Sequence, residues 1–401
     1  MIELVEGSVT SAKGFLAGGT YAGIKTSGDD TVDLGILLSE TPATVAGTYS
    51  TNKVLSPSVV LTRERAASGV SRGVVANSGC ANCCVGEVGL KDAREMTALA
   101  ADHTGVVADQ MLVCSTGMIG VELPMALLRR SMSNVNPTRE GGHDFARAIM
   151  TTDNHPKEVA VSVDVGGSRI TLGGAAKGVG MVHPNMATML AFIATDAAAE
   201  RGFLQRSLSE AVAGSFNMID VDGDQSTNDT VLLFANGASG AAEIGEGSET
   251  ADVFRDALAY VCTSLAKDLV RDAEGAQRLI EVELAGAESL EESRLAAREI
   301  ASSLLVKAMV HGRDPNWGRV MMALGKSGIS FNESDVDIFI NDIHIVHEGI
   351  AIPFLKDAVV SAMAVPEVRF RVRVGAGDAN AMAWGCDLTE EYVTFNSAYS
   401  T

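Results

Sequence analysis

The stretch Lys177-Gly-Val-Gly-Met-Val-His-Pro-Asn-Met-Ala-Thr-Met-Leu-Ala-Phe-Ile-Ala-Thr-Asp196 joins a glycine-rich turn to an unbroken apolar run at residues 189–194. An apolar run of this length bounded by turn formers reads as a buried strand. Thr188 stands at its mouth, and two roles are open to it. It can pack, or it can be a nucleophile if the bond before it is cut. A threonine hydroxyl is a poor nucleophile without a base, but an N-terminal threonine carries its own base, an α-amine of pKa about 7.7–8.0 in model peptides. An uncut precursor can reach that state unaided. The hydroxyl attacks the preceding carbonyl, an N→O shift forms an ester, and water cleaves it. That route needs a tightly turned scissile region, and Gly178-Val-Gly180 with Pro184 supplies turn formers. From spacing alone, packing remains the stronger role.

Immediately upstream, Val159, Val161, Val163 and Val165 alternate with polar residues, Gly166-Gly167 turns the chain, and Ile170 and Leu172 continue the alternation back to Lys177. This is the clearest hairpin in the chain. Further upstream, residues 32–38, 44–49, 58–61 and 73–77 read as short strands. Residues 88–103 read as a helix carrying Leu90, Ala93, Met96 and Ala100 on one face. Residues 111–114 form a strand running into Ser115-Thr116-Gly117, and residues 124–131 a helix. Downstream, Leu204, Leu208 and Val212 mark a helix, and residues 231–234 a strand. Phe254, Leu258, Val261, Leu265 and Leu269 mark a strongly amphipathic helix. Residues 280–284 form a strand, 295–307 a helix, and 336–340 with 343–346 a second hairpin through Asn341-Asp342. Residues 368–374 form a strand with one apolar and one basic face. Strands and helices are mixed throughout, so the expected class is α/β, in the mixed α+β sense of layered sheets covered by helices.

Composition bounds the function. The chain has 401 residues, enough for two domains or one large layered one. Aromatics are only 5% against 46% hydrophobic residues, so the core must be aliphatic. A net charge of −20 argues against nucleic acid or an anionic membrane as partner, because both need clustered Lys and Arg. No apolar run is long enough to span a bilayer, and the N-terminus has no signal-peptide pattern. The six cysteines form no extracellular framework and read as reduced thiols of a cytoplasmic protein.

Other candidate motifs are weak. Cys80-Ala-Asn-Cys83 has half the spacing of a zinc site but no second pair, so no metal is expected there. Residues 173–180 do not follow the order of a phosphate-binding loop, and Gly375-Ala-Gly377 is a lone Gly-x-Gly. Asp222 to Asp229 is acidic but has the glycine and final glutamate of a calcium loop misplaced. The seven histidines are scattered, and His183, the one near Thr188, reads as turn packing. Ser115-Thr116-Gly117 closes a strand in a way that can aim donors at an oxyanion, but taken alone an ordinary turn is the stronger reading.

Taken together and in order, the segments resemble one family over nearly the whole chain, the ornithine acetyltransferases (glutamate N-acetyltransferases) of arginine biosynthesis. The resemblance rests on Ala22-Gly-Ile-Lys25, Ser50-Thr-Asn-Lys53, Asn77-Ser-Gly79, Ser115-Thr-Gly-Met-Ile-Gly120, Met150-Thr-Thr-Asp153 and the opening stretch. It continues in Ser226-Thr-Asn-Asp229, Phe234-Ala-Asn-Gly237, Asp272-Ala-Glu-Gly275, Asp314-Pro-Asn-Trp-Gly-Arg319 and Trp384-Gly-Cys-Asp-Leu-Thr389. The resemblance implies a self-processing aminopeptidase-like fold. It implies autocatalytic cleavage between Ala187 and Thr188, giving an α chain 1–187 and a β chain 188–401 that share one pocket and assemble as a two-α, two-β heterotetramer. Thr188 would take the acetyl group of N2-acetylornithine and pass it to glutamate. Thr116 and Gly117 match the oxyanion-hole pair. Thr151, Lys177, Thr188, Glu274, Asn396 and Thr401 match substrate-binding positions. No cofactor is implied, although acetyl-CoA could serve as a second donor. The chain departs from the usual pattern at Cys80, Cys83, Val85, Val179, Gln225 and Arg313, which bears on substrate preference more than on reaction class. The alternatives are a specialised acyltransferase or an amidohydrolase of the same self-processing fold, and a non-catalytic relative that keeps the fold.

Overall fold

Lys157–Val165, Ser168–Lys177 and Leu190–Thr195 are three consecutive antiparallel strands, seen in a computed structural model that describes residues 2–26, 31–183 and 189–398. Ala187, Thr188 and Thr401 lie outside the described residues. The first two strands form the expected hairpin. Its two-residue turn needs left-handed backbone at both positions, which Gly166 (φ 55°) and Gly167 (φ 84°) adopt without a Cβ to clash.

These strands belong to a nine-stranded sheet. Glu3–Val5 flanks the hairpin on one side. Beyond Leu190–Thr195 the order continues through Thr230–Ala235, Leu34–Tyr49, Val70–Cys80 and Met111–Met118, with Phe15–Thr20 also paired to Leu34–Tyr49. The expected strands at 32–38 and 44–49 are two ends of the one long strand Leu34–Tyr49. Its pairing register with Val70–Cys80 shifts between Leu38 and Ala43. The two halves of the sheet share an inner core. Val74, Ala76, Leu112 and Cys114 pack in one cluster with Leu190, Phe192, Leu232 and Phe234.

The opposite faces are covered as well. Ala191, Ile193, Val231 and Leu233 turn away from that core toward the helices Arg201–Ala213 and Ala251–Arg271. Leu34, Ile36, Val75 and Val113 turn toward the helix Glu87–Thr104. A strand buried on both faces has no polar side to show, which is why residues 189–194 are continuously apolar.

A seven-stranded second sheet runs Ile350–Ala351, Ile343–His347, Asp337–Ile340, Glu367–Arg373, Leu279–Ala287, Ala379–Cys386, Ile219–Asp220. It shares the cluster containing Phe254 and Leu258, so the helix Ala251–Arg271 contributes to a core common to both sheets. The mixed class of sheets covered by helices is the one the sequence pattern indicates. Among the described residues no helix is long and apolar enough to cross a membrane.

Two expectations are corrected. Residues 58–61 are not a strand but part of the helix Pro57–Ala66. Ser56 accepts the Ser58 N–H as its cap and Pro57 occupies the first turn, a start signal that outweighs the β-branched Val59 and Val60. Residues 295–307 are not one helix. Leu290–Ser302 ends at Ser303, whose extended backbone (ψ 116°) caps a new helix, Leu304–Gly312.

Candidate active site

The site is assembled where several strands end. Lys177 closes its strand opposite Leu190, and Leu190 lies beside Thr230 on the other side. The N–H of Met189 donates to the Asp229 carboxylate (3.0 Å), and the N–H of Thr230 donates to the Met189 carbonyl (3.1 Å). The start of the strand that follows Thr188 is therefore held on both edges. The loop before Thr230 is tied across to the other half of the sheet, because the Asn228 amide donates to the carbonyls of Ala81 (2.6 Å) and Ser115 (2.7 Å).

Thr116 and Gly117 lie near the end of Met111–Met118. Gly117 has φ +127° and packs so closely on Gly79 that a Cβ would come within 2.3 Å of the Gly79 carbonyl carbon. Only glycine fits there, which fixes the path of the backbone at the residue after Thr116. Lys177 Nζ donates across to Thr116 Oγ1 at 3.3 Å. That bond uses an oxygen lone pair and leaves the Thr116 hydroxyl hydrogen free to donate elsewhere.

Glu274 follows the helix Ala251–Arg271. Its N–H donates to the Val179 carbonyl (3.0 Å), and its carboxylate accepts from Thr152 Oγ1 (2.7 Å) and Asn396 Nδ2 (2.9 Å). Gly180 makes room for that carboxylate, since a Cβ on it would lie 2.5 Å from Glu274 Oε2.

Beneath these residues lies a buried charge cluster. Lys157 Nζ donates to Asp153 (2.7 Å) and to Asp272. Asp153 also accepts the N–H groups of Thr151 (3.0 Å) and Gly178 (3.1 Å), so one carboxylate orients the segments that carry Thr151 and Lys177. Burial pushes the Asp153 carboxyl up, but Lys177 and Lys157 outweigh it and hold it below its ordinary value. Burial lowers the Lys177 ammonium, with Asp153 acting against that shift. Burial raises Asp229 well above its usual range, with the Met189 N–H and Lys177 opposing. Asp222 accepts the N–H groups of Met181 (2.6 Å) and Val182 (2.9 Å) and the Tyr392 hydroxyl (3.2 Å), so this loop's carboxylate serves the turn.

A cleft of about 130 Å³ opens over this cluster. Thr116, Gly117, Thr151, Lys177, Glu274 and Asn396 all line it. Six positions spread over 281 residues of sequence, 116 to 396, thus converge on one cavity, with walls contributed from both sides of the Ala187–Thr188 junction. Three further named positions, Ala187, Thr188 and Thr401, lie outside the described residues. Sequence reasoning missed Lys157 as the cation that organises the floor and Asn228 as the staple across the sheet. A lysine opening an alternating strand and an asparagine in a turn-rich loop give no separate signal. His183 pairs with Asp220 (2.9 Å) and is not among the residues lining the cleft. Cys80 and Cys83 are buried, and Cys80 donates to the Val121 carbonyl (3.2 Å).

Set beside known proteins, residues 16–401 match the model of the ArgJ family. The chain belongs to the ArgJ family. It is 48% identical to the arginine biosynthesis bifunctional protein ArgJ of Symbiobacterium thermophilum, with 100% of both chains covered. It is 44% identical to the protein of the same name from Dehalococcoides mccartyi, covering 99% of this chain and 98% of that one. Among crystal structures, the ArgJ protein of Bacillus halodurans is 38% identical with a TM-score of 0.50, and 51% of this chain covers 96% of the crystallised one. The stretch matched to the ArgJ family contains every residue named above for the cleft and its floor.

Proposed function

We propose that this chain cuts itself between Ala187 and Thr188 and then moves an acetyl group from N2-acetylornithine to glutamate through an acetyl-Thr188 intermediate. The chain is an acyltransferase of arginine biosynthesis, as its ArgJ family membership and full-length relatives support. The observation that carries the reading is the convergence of Thr116, Gly117, Thr151, Lys177, Glu274 and Asn396 on one cleft, beside the start of the strand that follows Thr188. The Bacillus halodurans match, in which about half of this chain covers nearly all of the crystallised one, is consistent with a chain divided near its middle.

In the first step, Thr188 Oγ attacks the Ala187 carbonyl carbon, the peptide C–N bond breaks and an ester forms. Water hydrolyses the ester, leaving a carboxylate on Ala187 and a free amine on Thr188. That amine then accepts the Oγ proton as Oγ attacks the acetyl carbonyl of N2-acetylornithine. The oxyanion is met by the free hydroxyl hydrogen of Thr116 and by the adjoining backbone at Gly117. The acetyl C–N bond breaks, the proton passes to the departing nitrogen, and ornithine leaves. The glutamate amine attacks the acetyl ester, and Thr188 Oγ recovers its proton. Lys177 is the counter-charge for the α-carboxylate that both substrates share, and Glu274 is the partner for an ammonium. No cofactor takes part. The two products of cleavage remain in one body and pair as two α and two β chains in the cytoplasm. The relatives' description as bifunctional supports a second donor, acetyl-CoA, for the same acetyl-threonine.

Ornithine release from N2-acetylornithine tests the transfer, with and without glutamate. Release that depends on glutamate is expected, and equal release in its absence identifies an amidohydrolase and overturns the reading. Denaturing electrophoresis with N-terminal sequencing tests the cleavage. Two fragments, the second beginning at Thr188, are expected from the native chain and a single band from Thr188→Ala.

A further inference from the structure

The seven histidines are scattered in sequence, but the hairpin of Asp337–Ile340 and Ile343–His347 brings two of them onto one carboxylate. In a regular strand, residues three apart face opposite sides. Here Ile338 pairs with Val346 while Phe339 pairs with His344, so the histidine strand carries one extra residue. That bulge restores parity and turns His344 and His347 to the same side. His344 Nε2 lies 3.3 Å and His347 Nδ1 2.8 Å from the same oxygen of Asp337. One ligand atom from each of the three residues can be chosen so that all lie within 4.8 Å of one another.

We propose that Asp337, His344 and His347 form a binding site for a divalent transition-metal ion that fastens this hairpin at the edge of the second sheet. Two imidazole nitrogens and one carboxylate oxygen suit zinc, cobalt, nickel or copper rather than calcium or magnesium. A tetrahedral ion with bonds of about 2.0–2.1 Å sets its ligand atoms roughly 3.3 Å apart, against 3.3 and 2.8 Å from the two histidines to Asp337 and no more than 4.8 Å between any two ligand atoms here. Binding displaces the two ring protons that now point at Asp337 and leaves a proton on the far nitrogen of each imidazole. Behind His347 a carboxylate stands at ion-pair rather than hydrogen-bond distance, with Glu348 Oε1 3.9 Å from Nε2, and a small side-chain rotation would bring it onto that proton. A carboxylate behind a ligating imidazole is the usual support for the bound tautomer. The His344 ring is held in orientation by stacking on Phe339, with centroids 4.1 Å apart and planes 11° from parallel. Arg371 lies over the same Phe339 ring and pairs with Asp342 (3.2 Å), which offsets its positive charge near the site. None of the three ligands lines the catalytic cleft.

The test uses the full, chelator-stripped protein titrated with cobalt(II) and zinc(II), read by calorimetry and by the cobalt absorption spectrum. One saturable ion per chain is expected, with a cobalt spectrum free of thiolate charge transfer and a higher melting temperature with zinc. His344→Ala and Asp337→Asn are expected to abolish this binding, and Glu348→Gln to weaken it by about tenfold. His347 is exposed, so His347→Gln provides a variant whose metal-free melting should match the parent while its zinc-induced shift disappears. Acetyl transfer by all four variants should be unchanged. Absence of saturable binding overturns the site. So does binding that survives His344→Ala and His347→Gln together, or a thiolate band that moves the ion to the exposed Cys84, next to the buried Cys83.

Discussion

Lys157 and Asp153 have side chains wholly removed from solvent, and Asp272 is almost so. An ammonium in that position is tolerable only because two carboxylates accept from it, and they in turn have lost water in exchange for that partner. Lys157→Met should therefore cost about 3–5 kcal/mol in denaturant-induced unfolding at neutral pH, the range for stripping one partner from a buried ion cluster. The deficit should also depend on pH in a defined direction. In the parent, Asp153 titrates below its ordinary value, so its stabilising contribution is complete above the unfolded pKa and is lost as pH falls through the folded one. Without Lys157 the carboxyl keeps Lys177 and its backbone donors but has less counter-charge, so it takes up a proton more readily than in the parent. The variant then loses less stability than the parent as pH falls, and its deficit against the parent should shrink as pH enters the carboxylate range. A deficit independent of pH would show that packing, not charge, is what Lys157 supplies. A second residue-level outcome concerns Thr116, whose oxygen is occupied by Lys177 while its hydrogen is free. Thr116→Val retains the shape and removes the hydroxyl. The turnover number should fall by about 10²–10³-fold, the usual loss of one oxyanion donor, with KM nearly unchanged. Steady-state kinetics with N2-acetylornithine separates the two parameters.

The glycine-rich turn after Lys177 works as an element because its glycines do different things. Gly180 has an ordinary backbone conformation, so alanine there meets no strain, only the Glu274 carboxylate. Gly180→Ala should displace that carboxylate from Thr152 and Asn396 without disturbing the strands on either side. KM should rise by about tenfold, comparable to losing one hydrogen bond to a charged group at about 1.5 kcal/mol, while the melting temperature moves little. The same turn shows how far the chain can be read without coordinates. The hairpin ending at Lys177 was legible because its valines alternate and its Gly-Gly pair tolerates the left-handed backbone that a two-residue turn needs. The helix Pro57–Ala66 was not, because Val59 and Val60 speak for a strand and only the Ser56-Pro57 start opposes them. The break at Ser303 was hidden for a related reason, since one capping serine carries little weight inside a helical pattern. The cleft residues were named through ordered resemblance. No local pattern joins Lys177 to Thr116, which lie 61 positions apart and meet only because the two halves of the sheet share a core. The charged floor was illegible on different grounds, because a lone Lys or Asp at the start of a strand reads as solvated until the opposing layer is known.

For the molecule as a whole, the Ala187–Thr188 junction falls between elements that cannot be parted without opening the core. Ser168–Lys177 and Leu190–Thr195 lie on opposite sides of that junction and pair from Leu172↔Thr195 to Lys177↔Leu190. The inner cluster joins Val74, Ala76 and Leu112 from the first part to Phe192, Leu232 and Phe234 from the second, and the outer one joins Val161 and Ile170 to Leu258 and Leu265. Breaking one peptide bond leaves these ladders and clusters intact, so the fragments have no surface with which to exist separately in water. The cleaved protein should run as two bands on a denaturing gel yet elute as one species in native size exclusion. Its fragments should part only over the guanidinium range in which far-UV ellipticity is lost, in a single transition monitored equally by the fluorescence of Trp384, in the shared cluster, and Trp317, packed against it. Elution of a free fragment in native buffer, or loss of one fragment before the fluorescence changes, would mean that residues 1–187 and 188–401 fold as separate bodies. The common cleft would then have to form by their association rather than by the folding of a single core.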